Sequence, residues 1–476
     1  MRAYARGLTC CVVTVLLLAQ APAGAWGPHP AITKAAMDVL AQSEQAREML
    51  GAEFDQLPNY AWMPDTRGQD FPAYYPDDYL LIRAFPTHAG HAMPGVAQTY
   101  EPYFRRALQA LRTETPMNAC RQIGALIHFV EDSGAPPHAR PISEHHGPLE
   151  NWVKAGEIDI EGYSPQLLGA DDDDAVAGLV KRMEALVAFS VLRADRALPL
   201  VQGGETGREE VEPIILESAL ESARAAADVL HTLFSLALDP GDEGATLRGT
   251  ITAAEFHPGN ARRNQKAARV VLLDSDRYDA LVGAGKTAPS LADAATDYGT
   301  LAPSDPELPA GSWSGSYFLR NLPAGKYRVL AYRTGSRFHV SEPVLLSEKA
   351  TSACDLTLPA AEPAGNIIQN PDGALSYLTQ GPDRWQRSGT RWLSSLSGLD
   401  NGASYRYGAL IKDPQAKVSF HFARIIGGEP TTLQLSPGDG EQIFVCDGAG
   451  LSVTVSVDTG LPLTEAVERV WVVPEG

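Results

Sequence analysis

The run His128-Phe-Val-Glu-Asp132-Ser-Gly-Ala-Pro-Pro-His138 leaves this chain few conformational choices. Thr115 can cap a helix with Pro116 at its first position, and Ser133-Gly134 followed by Pro136-Pro137 must end it. Within that helix Ile123, Leu126, Ile127 and Val130 form an apolar stripe facing a core, which places His128 and Asp132 on the opposite, exposed edge. Four residues apart, they stand one turn from each other at roughly 6 Å, a separation that a metal ion can span. His138 leaves a rigid Pro-Pro loop, and His146 and Glu150 repeat the three-residue gap. A His–Asp pair on a solvated helix face is common, whereas five donors in this order are not. Imidazole and carboxylate donors at such spacing hold zinc in hydrolytic sites rather than in cysteine-closed structural ones.

Histidine is concentrated around this run: of eleven in the chain, seven lie between His29 and His146, so His231, His257, His339 and His421 read as ordinary surface or core residues. Arg2 and Arg6, the apolar run Val12 to Ala19 and the small-residue site Ala23-Gly24-Ala25 form a secretory signal peptide over residues 1–25, too short in its apolar part to anchor the chain. The mature chain then begins at Trp26 and is secreted, extracellular or periplasmic. About 450 residues remain, enough for two to four domains. Removing Arg2 and Arg6 takes the formal charge from −19 to −21, which opposes tight, charge-driven binding to duplex nucleic acid. Cys120, Cys354 and Cys446 are too few and too scattered for a disulfide framework.

The segment HFVEDSGAPPHA resembles the H-x-x-x-D-x-x-x-x-x-H signature of the zinc-dependent phospholipase C and single-strand-specific nuclease superfamily, and His146-x-x-x-Glu150 is similar to its following H-x-x-x-E element. The resemblance covers about residues 26–240. It implies an all-helical domain holding three zinc ions, one of them bound by the amine and carbonyl of an N-terminal tryptophan. Carried over residue by residue, it implies that Trp26, His29 and Asp132 hold one zinc, that Asp132 bridges to a second completed by Asp65, His88 and His128, and that His138, His146 and Glu150 hold the third. His29 lies nearer Trp26 than the family's first histidine does, and the gap from Asp65 to His88 is longer. His91 competes with His88 and His145 with His146; the positions of Gly95 and Glu150 favour His88 and His146.

Beyond the motif, Ile32 to Met49 reads as an amphipathic helix, residues 51–100 as a long ordered loop, and Pro102 to Leu111 as a helix. Residues 148–156 suggest a short helix, the acidic run Asp171 to Asp174 starts another over Val176 to Leu200, and Val211 to Leu238 closes the helical region. From Ala245 the pattern alternates, predicting strands at 247–252, 268–273, 316–319 and 327–332, with an insertion over 281–312. The stretch Tyr317 to Tyr332 resembles the last hairpin of transthyretin-like or carboxypeptidase-regulatory-like sandwiches, turning at Leu-Pro-Ala-Gly325. Residues 365–476 suggest a jelly-roll-like accessory module, in which Trp385, Trp392, Tyr405, Tyr407, Phe420 and Phe422 read as core rather than as a sugar platform. The expected fold is thus an all-α domain (26–240) followed by two β-sandwiches (245–358 and 365–476).

The resemblance implies a phosphodiesterase in which zinc-bound hydroxide attacks in line, with Asp65 as a candidate general base. Glu150 rather than aspartate leans toward a phospholipase C acting on phospholipid at a membrane surface. A single-strand-specific nuclease on the same site lacks support from a basic, aromatic-interleaved groove. A third class is a binding or adhesion protein whose C-terminal modules take carbohydrate or protein while the metal site is vestigial.

Overall fold

The computed structural model describes residues 27–41, 43–66, 91–202, 204–237, 244–254, 267–283, 291–305, 312–333, 336–360, 363, 366, 385–399, 403–424, 431–446 and 451–475. Trp26, His88 and the signal segment lie outside these residues, as does the side chain of Asp65.

The chain folds first into helices, α1 (His29–Asp38), α2 (Ser43–Leu50), α3 (Leu57–Thr66), α4 (Tyr100–Thr113), α5 (Pro116–Gly134), α6 (Pro136–Ala139), α7 (His146–Asn151), α8 (Asp172–Val201) and α9 (Arg208–Ala237). The helix expected over Ile32 to Met49 is two, α1 and α2, parted at Val39–Leu40. The loop expected over 51–100 contains a 3-10 turn (Gly51–Gln56) and α3, formed because Phe54, Leu57, Tyr60 and Ala61 have a core to enter.

At the centre lies α5. Thr115 caps it, its side chain accepting from the Asn118 N–H at 3.4 Å, with Pro116 at the first position. Every residue from Asn118 to Gly134 is buried. The exposed edge expected for His128 and Asp132 therefore does not exist: both are 0% exposed, because α1, α3, α4, α8 and α9 surround α5. One approach is especially close. A Cβ on Gly124 would fall 2.5 Å from the Tyr60 backbone of α3, so only glycine fits there.

The remainder is β structure. Strand Ala245–Ala254 lies between Ser312–Leu322 and the short strands Thr351–Ala353 and Leu356–Thr357. A second sheet runs Ala295–Ala302, Ala268–Asp274, Gly325–Tyr332, with His339–Val340 and Val344–Leu346 alongside. The two sheets share a core containing Leu247, Ile251, Val270, Leu272, Trp313 and Val329. Leu322-Pro-Ala-Gly325 joins strands of different sheets: Ser312–Leu322 pairs with Ala245–Ala254, and Gly325–Tyr332 with Ala268–Asp274. The expected hairpin is a crossing between layers. The insertion expected over 281–312 holds part of the sandwich itself: Leu291–Ala294 is helical, and Ala295–Ala302 is a strand of the second sheet. This sandwich meets the helices through buried polar groups: Asn118 donates to Thr300 at 2.7 Å, and Thr300 donates to Glu114 at 2.6 Å.

The last region is a second pair of sheets, one of five strands around Arg391–Leu399, Leu451–Asp458 and Lys417–Arg424, the other of Gln442–Val445, Ser404–Ile411 and Val467–Pro474. Trp385, Trp392, Tyr405, Tyr407, Phe420 and Phe422 are all buried between them, as core aromatic residues must be. Among the described residues no helix is long and apolar enough to cross a membrane.

Candidate metal centre

The last two turns of α5 deliver the first donors. His128 and Asp132 are successive on one edge, and the Asp132 Oδ2 atom stands 3.0 Å from His128 Nε2. His29 opens α1 and lays its ring over that of His128, centroids 4.3 Å apart, with Nε2 3.6 Å from Asp132 Oδ1. Donor atoms of His29, His128 and Asp132 all lie within 4.8 Å of one another. A second group forms where the chain leaves α5: His138 on α6 and His146 and Glu150 on α7 bring their donors within the same limit. His146 Nε2 and His138 Nε2 each lie 2.9 Å from Glu150 Oε1. His145, by contrast, has a left-handed backbone (φ 59°) before α7, and its ring nitrogen faces Glu144 at 3.7 Å.

The two groups are joined. His138 Nδ1 approaches Asp132 Oδ1 to 2.9 Å, so one imidazole faces both carboxylates. His91 adds a fifth ring at the mouth: its Nδ1 is 2.8 Å from Asp132 Oδ2 and 3.0 Å from His128 Nε2. His91 is 39% exposed while its partners are buried, so it borders solvent. The segment bearing it is tied down by the Met93 N–H, which donates to the His138 carbonyl at 3.0 Å. Asp65 follows Ala61 by one turn of α3, the helix that borders His128.

Ring orientation is set from behind. His128 Nδ1–H donates to the Ala61 carbonyl and His146 Nδ1–H to the Ile142 carbonyl, each at 2.9 Å. His29 Nδ1 lies 2.5 Å from Glu131 Oε2. A carbonyl can only accept, so Nδ1 of His128 and of His146 carries a hydrogen and Nε2 is the atom turned inward, as metal-ligating histidines require. Sequence reasoning missed Glu131 and its companion Thr33, whose hydroxyl donates to Glu131 Oε1 at 2.6 Å. The available signals were an acid adjoining Asp132 on an otherwise apolar helix and a hydroxyl one turn after His29.

A divalent cation fits these donors. Asp132 Oδ1, His138 Nδ1 and both carboxylate oxygens of Glu150 are buried without a hydrogen bond of proper geometry, although Asp132 Oδ1 and His138 Nδ1 stand 2.9 Å apart and Glu150 Oε1 stands 2.9 Å from His138 Nε2 and from His146 Nε2. Atoms that converge without hydrogen bonding, in a set of imidazoles and carboxylates, match the chemistry of a zinc site. Protonation in the metal-free chain tells the same story. Burial opposes ionisation of Asp132, but the charges of His128, His138 and His91 prevail and hold it well below the usual carboxylate range. Burial also opposes a charged His138, yet Asp132 and Glu150 push it up to about 10. His29 is raised well above its ordinary value against burial by Asp132 and Glu131, while burial lifts Glu131 to about 7. Protons thus occupy positions that a cation would take.

No family model matches the chain, and no curated protein sequence matches it. Among solved structures, the alpha toxin of Clostridium absonum aligns over 69% of this chain and 99% of its own, at 10% identity and a TM-score of 0.33. A Clostridium perfringens alpha-toxin from an avian strain aligns over 69% and 98%, at 10% identity and a TM-score of 0.29. A putative carbohydrate binding protein from Bacteroides uniformis aligns over 44% and 79%, at 9% identity and a TM-score of 0.13. Likenesses at this level do not bear on function, which rests on the donor atoms themselves.

Proposed function

We propose that this chain is a secreted, zinc-dependent phosphodiester hydrolase of the phospholipase C type, releasing a phosphorylated head group from phospholipid. The observation that carries the reading is the convergence of two donor groups, buried except for the half-buried His146, with His138 facing Asp132 of one and Glu150 of the other. His29, His128 and Asp132 would hold one part of the cluster, with His91 or His88 and Asp65 completing it, and His138, His146 and Glu150 would hold the rest. Trp26, which the resemblance makes a ligand, lies outside the described residues; Gly27 packs against α7, where a Cβ on it would come within 2.8 Å of Asn151 Oδ1.

Held by these donors, zinc would acidify a water to give a nucleophile at neutral pH and would offset the charge of a phosphodiester. The chain's own part is to hold the rings rigidly. Ala61, Ile142 and Glu131 take the Nδ1–H groups, and the walls of α1, α3 and α5 keep water out of the inner group. Asp132 is too strongly ionised, and would be too firmly engaged, to act as a base. Asp65, the candidate general base from the sequence, would be acidified in the same way if it too is a ligand, so no carboxylate of the cluster is assigned that role.

The test is assay of the processed protein on phosphatidylcholine and on single-stranded DNA, with metal content measured in parallel. Phosphocholine release that is lost on chelation and restored by zinc supports the proposal. Activity on DNA alone, or fewer than two zinc ions per chain, overturns it.

A further inference from the structure

The first position of α1 carries His29, and the next residue on that edge is Thr33, one turn on. Both reach the same side chain of α5, Glu131, whose Oε2 faces His29 Nδ1 at 2.5 Å and whose Oε1 accepts from Thr33 Oγ1 at 2.6 Å. His29 and Glu131 are 0% exposed and Thr33 is 1% exposed. Each carboxylate oxygen is thus directed at α1. A buried carboxylate is a poor device for joining two helices, because apolar residues of similar size do so without the desolvation cost. It is well suited to a different task, holding an imidazole in one tautomer and one orientation while enriching the electron density of the opposite nitrogen. His128 and His146 are held by neutral carbonyls; His29 is held by an acid.

We infer that Glu131, oriented by Thr33, is a positioning residue for His29, fixing its Nδ1–H and presenting Nε2 to the cation shared with Asp132. This inference rests on the metal-site reading above. Helix geometry makes it specific: Glu131 and Asp132 are adjacent on α5, about 100° apart, so one residue supplies a direct ligand and its neighbour steers the ligand contributed by α1. The carboxylate also anchors the start of α1.

The experiment compares the full processed chain with its Glu131→Gln, Glu131→Leu and Thr33→Val variants. Zinc affinity is measured by competition with a chromophoric chelator, the visible spectrum of the cobalt-substituted protein is recorded, and thermal unfolding of the metal-free protein is followed. Glu131→Leu is expected to weaken one equivalent of zinc by about 10- to 100-fold and to alter the cobalt spectrum. Glu131→Gln, nearly isosteric and still able to accept from His29, is expected to fold as wild type with a smaller loss, and Thr33→Val to lie between it and wild type. Binding at the His138–His146–Glu150 group should be unchanged in all three. Wild-type affinity and an unaltered spectrum in Glu131→Gln and Glu131→Leu, with only the metal-free unfolding temperature moved, overturn the inference and leave Glu131 a packing residue. Wild-type protein that takes up no zinc overturns the metal reading itself, and the inference with it.

Discussion

Replacing Gly124 with alanine puts a methyl group where the structure has no room for one. The new Cβ would stand 2.5 Å from the backbone carbon and Cβ of Tyr60 and 2.6 Å from its carbonyl oxygen. Ordinary contact begins near 3.4 Å, so α3 must retreat from α5 by about 1 Å in a core that resists such movement. Overpacking of this kind costs about 1–3 kcal/mol, and a region of this size loses roughly 2–4 °C of unfolding temperature per kcal/mol. The displacement reaches the metal centre because the next residue, Ala61, carries the carbonyl that holds His128 Nδ1 at 2.9 Å. Moving it by that much breaks the hydrogen bond and releases the His128 ring, which is expected to weaken zinc by about 10- to 100-fold. Gly147→Ala is the control: it lies on α7 between His146 and Glu150, and a Cβ there meets nothing within 4 Å. Thermal unfolding with and without zinc, together with zinc titration, measures both effects. Gly124→Ala with wild-type unfolding and wild-type zinc affinity would refute the coupling of α3 packing to the site.

Asp132→Asn leaves His29, His91, His128 and His138 facing a neutral group; the metal-free fold is expected to lose about 3–5 kcal/mol, and atomic absorption should find less zinc with hydrolysis lost alongside it. In the metal-free chain the pH dependence has a definite sign. His138, raised from 6.5 to about 10, adds stability that is complete below pH 6.5 and fades as pH climbs to 10, and Glu131, raised from 4.5 to about 7, destabilises in the same direction. The unfolding temperature of the EDTA-treated protein should therefore fall across that range, and a rise contradicts the assigned shifts. Free zinc at 100 times its dissociation constant should stabilise by about 2.7 kcal/mol; calorimetry should show this in the helical transition, while the C-terminal sheets unfold at an unchanged temperature. His91→Ala is expected to reduce zinc binding more than His145→Ala, because His91 faces Asp132 and His145 faces Glu144.

What could be read in the sequence was whatever is encoded locally. Thr115 and Pro116 announce the start of α5, Ser133-Gly134 and the prolines its end, and the change from helical to alternating pattern at Ala245 falls where the strands begin. Depth was not local. The elements packed around α5 are α1, α3, α4, α8 and α9, and a polar edge has the same pattern whether it faces water or another polar edge. The crossing at Leu322 to Gly325 is hidden for the same reason: Leu-Pro-Ala-Gly turns the chain in a hairpin or between layers alike, and the choice depends on pairing with residues between 53 (Asp274 with Tyr327) and 77 (Ala245 with Leu322) positions away. Glu131 looked like any helix glutamate because both its partners, His29 and Thr33, lie about a hundred residues upstream.

The composition of the centre bears on why it exists. His29, His128, Glu131, Asp132, His138 and Glu150 are each no more than 3% exposed, and they occupy the place where a helical domain of this size would otherwise set leucines. Ion pairs buried in this way are seldom more stabilising than the apolar residues that could replace them, so stability does not account for the cluster. Three carboxylates lie among imidazoles whose protons balance their charge in the metal-free chain, and a divalent cation would take the place of those protons without the added volume of side chains. Cation binding would then contribute to folding, because the donors come from α1, α5, α6 and α7 and are drawn to one point only in the folded chain. The same dependence makes the site rigid, since a ring that moves away from its cation also abandons its backbone acceptor. A centre assembled in this way has its geometry set before any substrate arrives, which is the condition under which charge stabilisation is most effective.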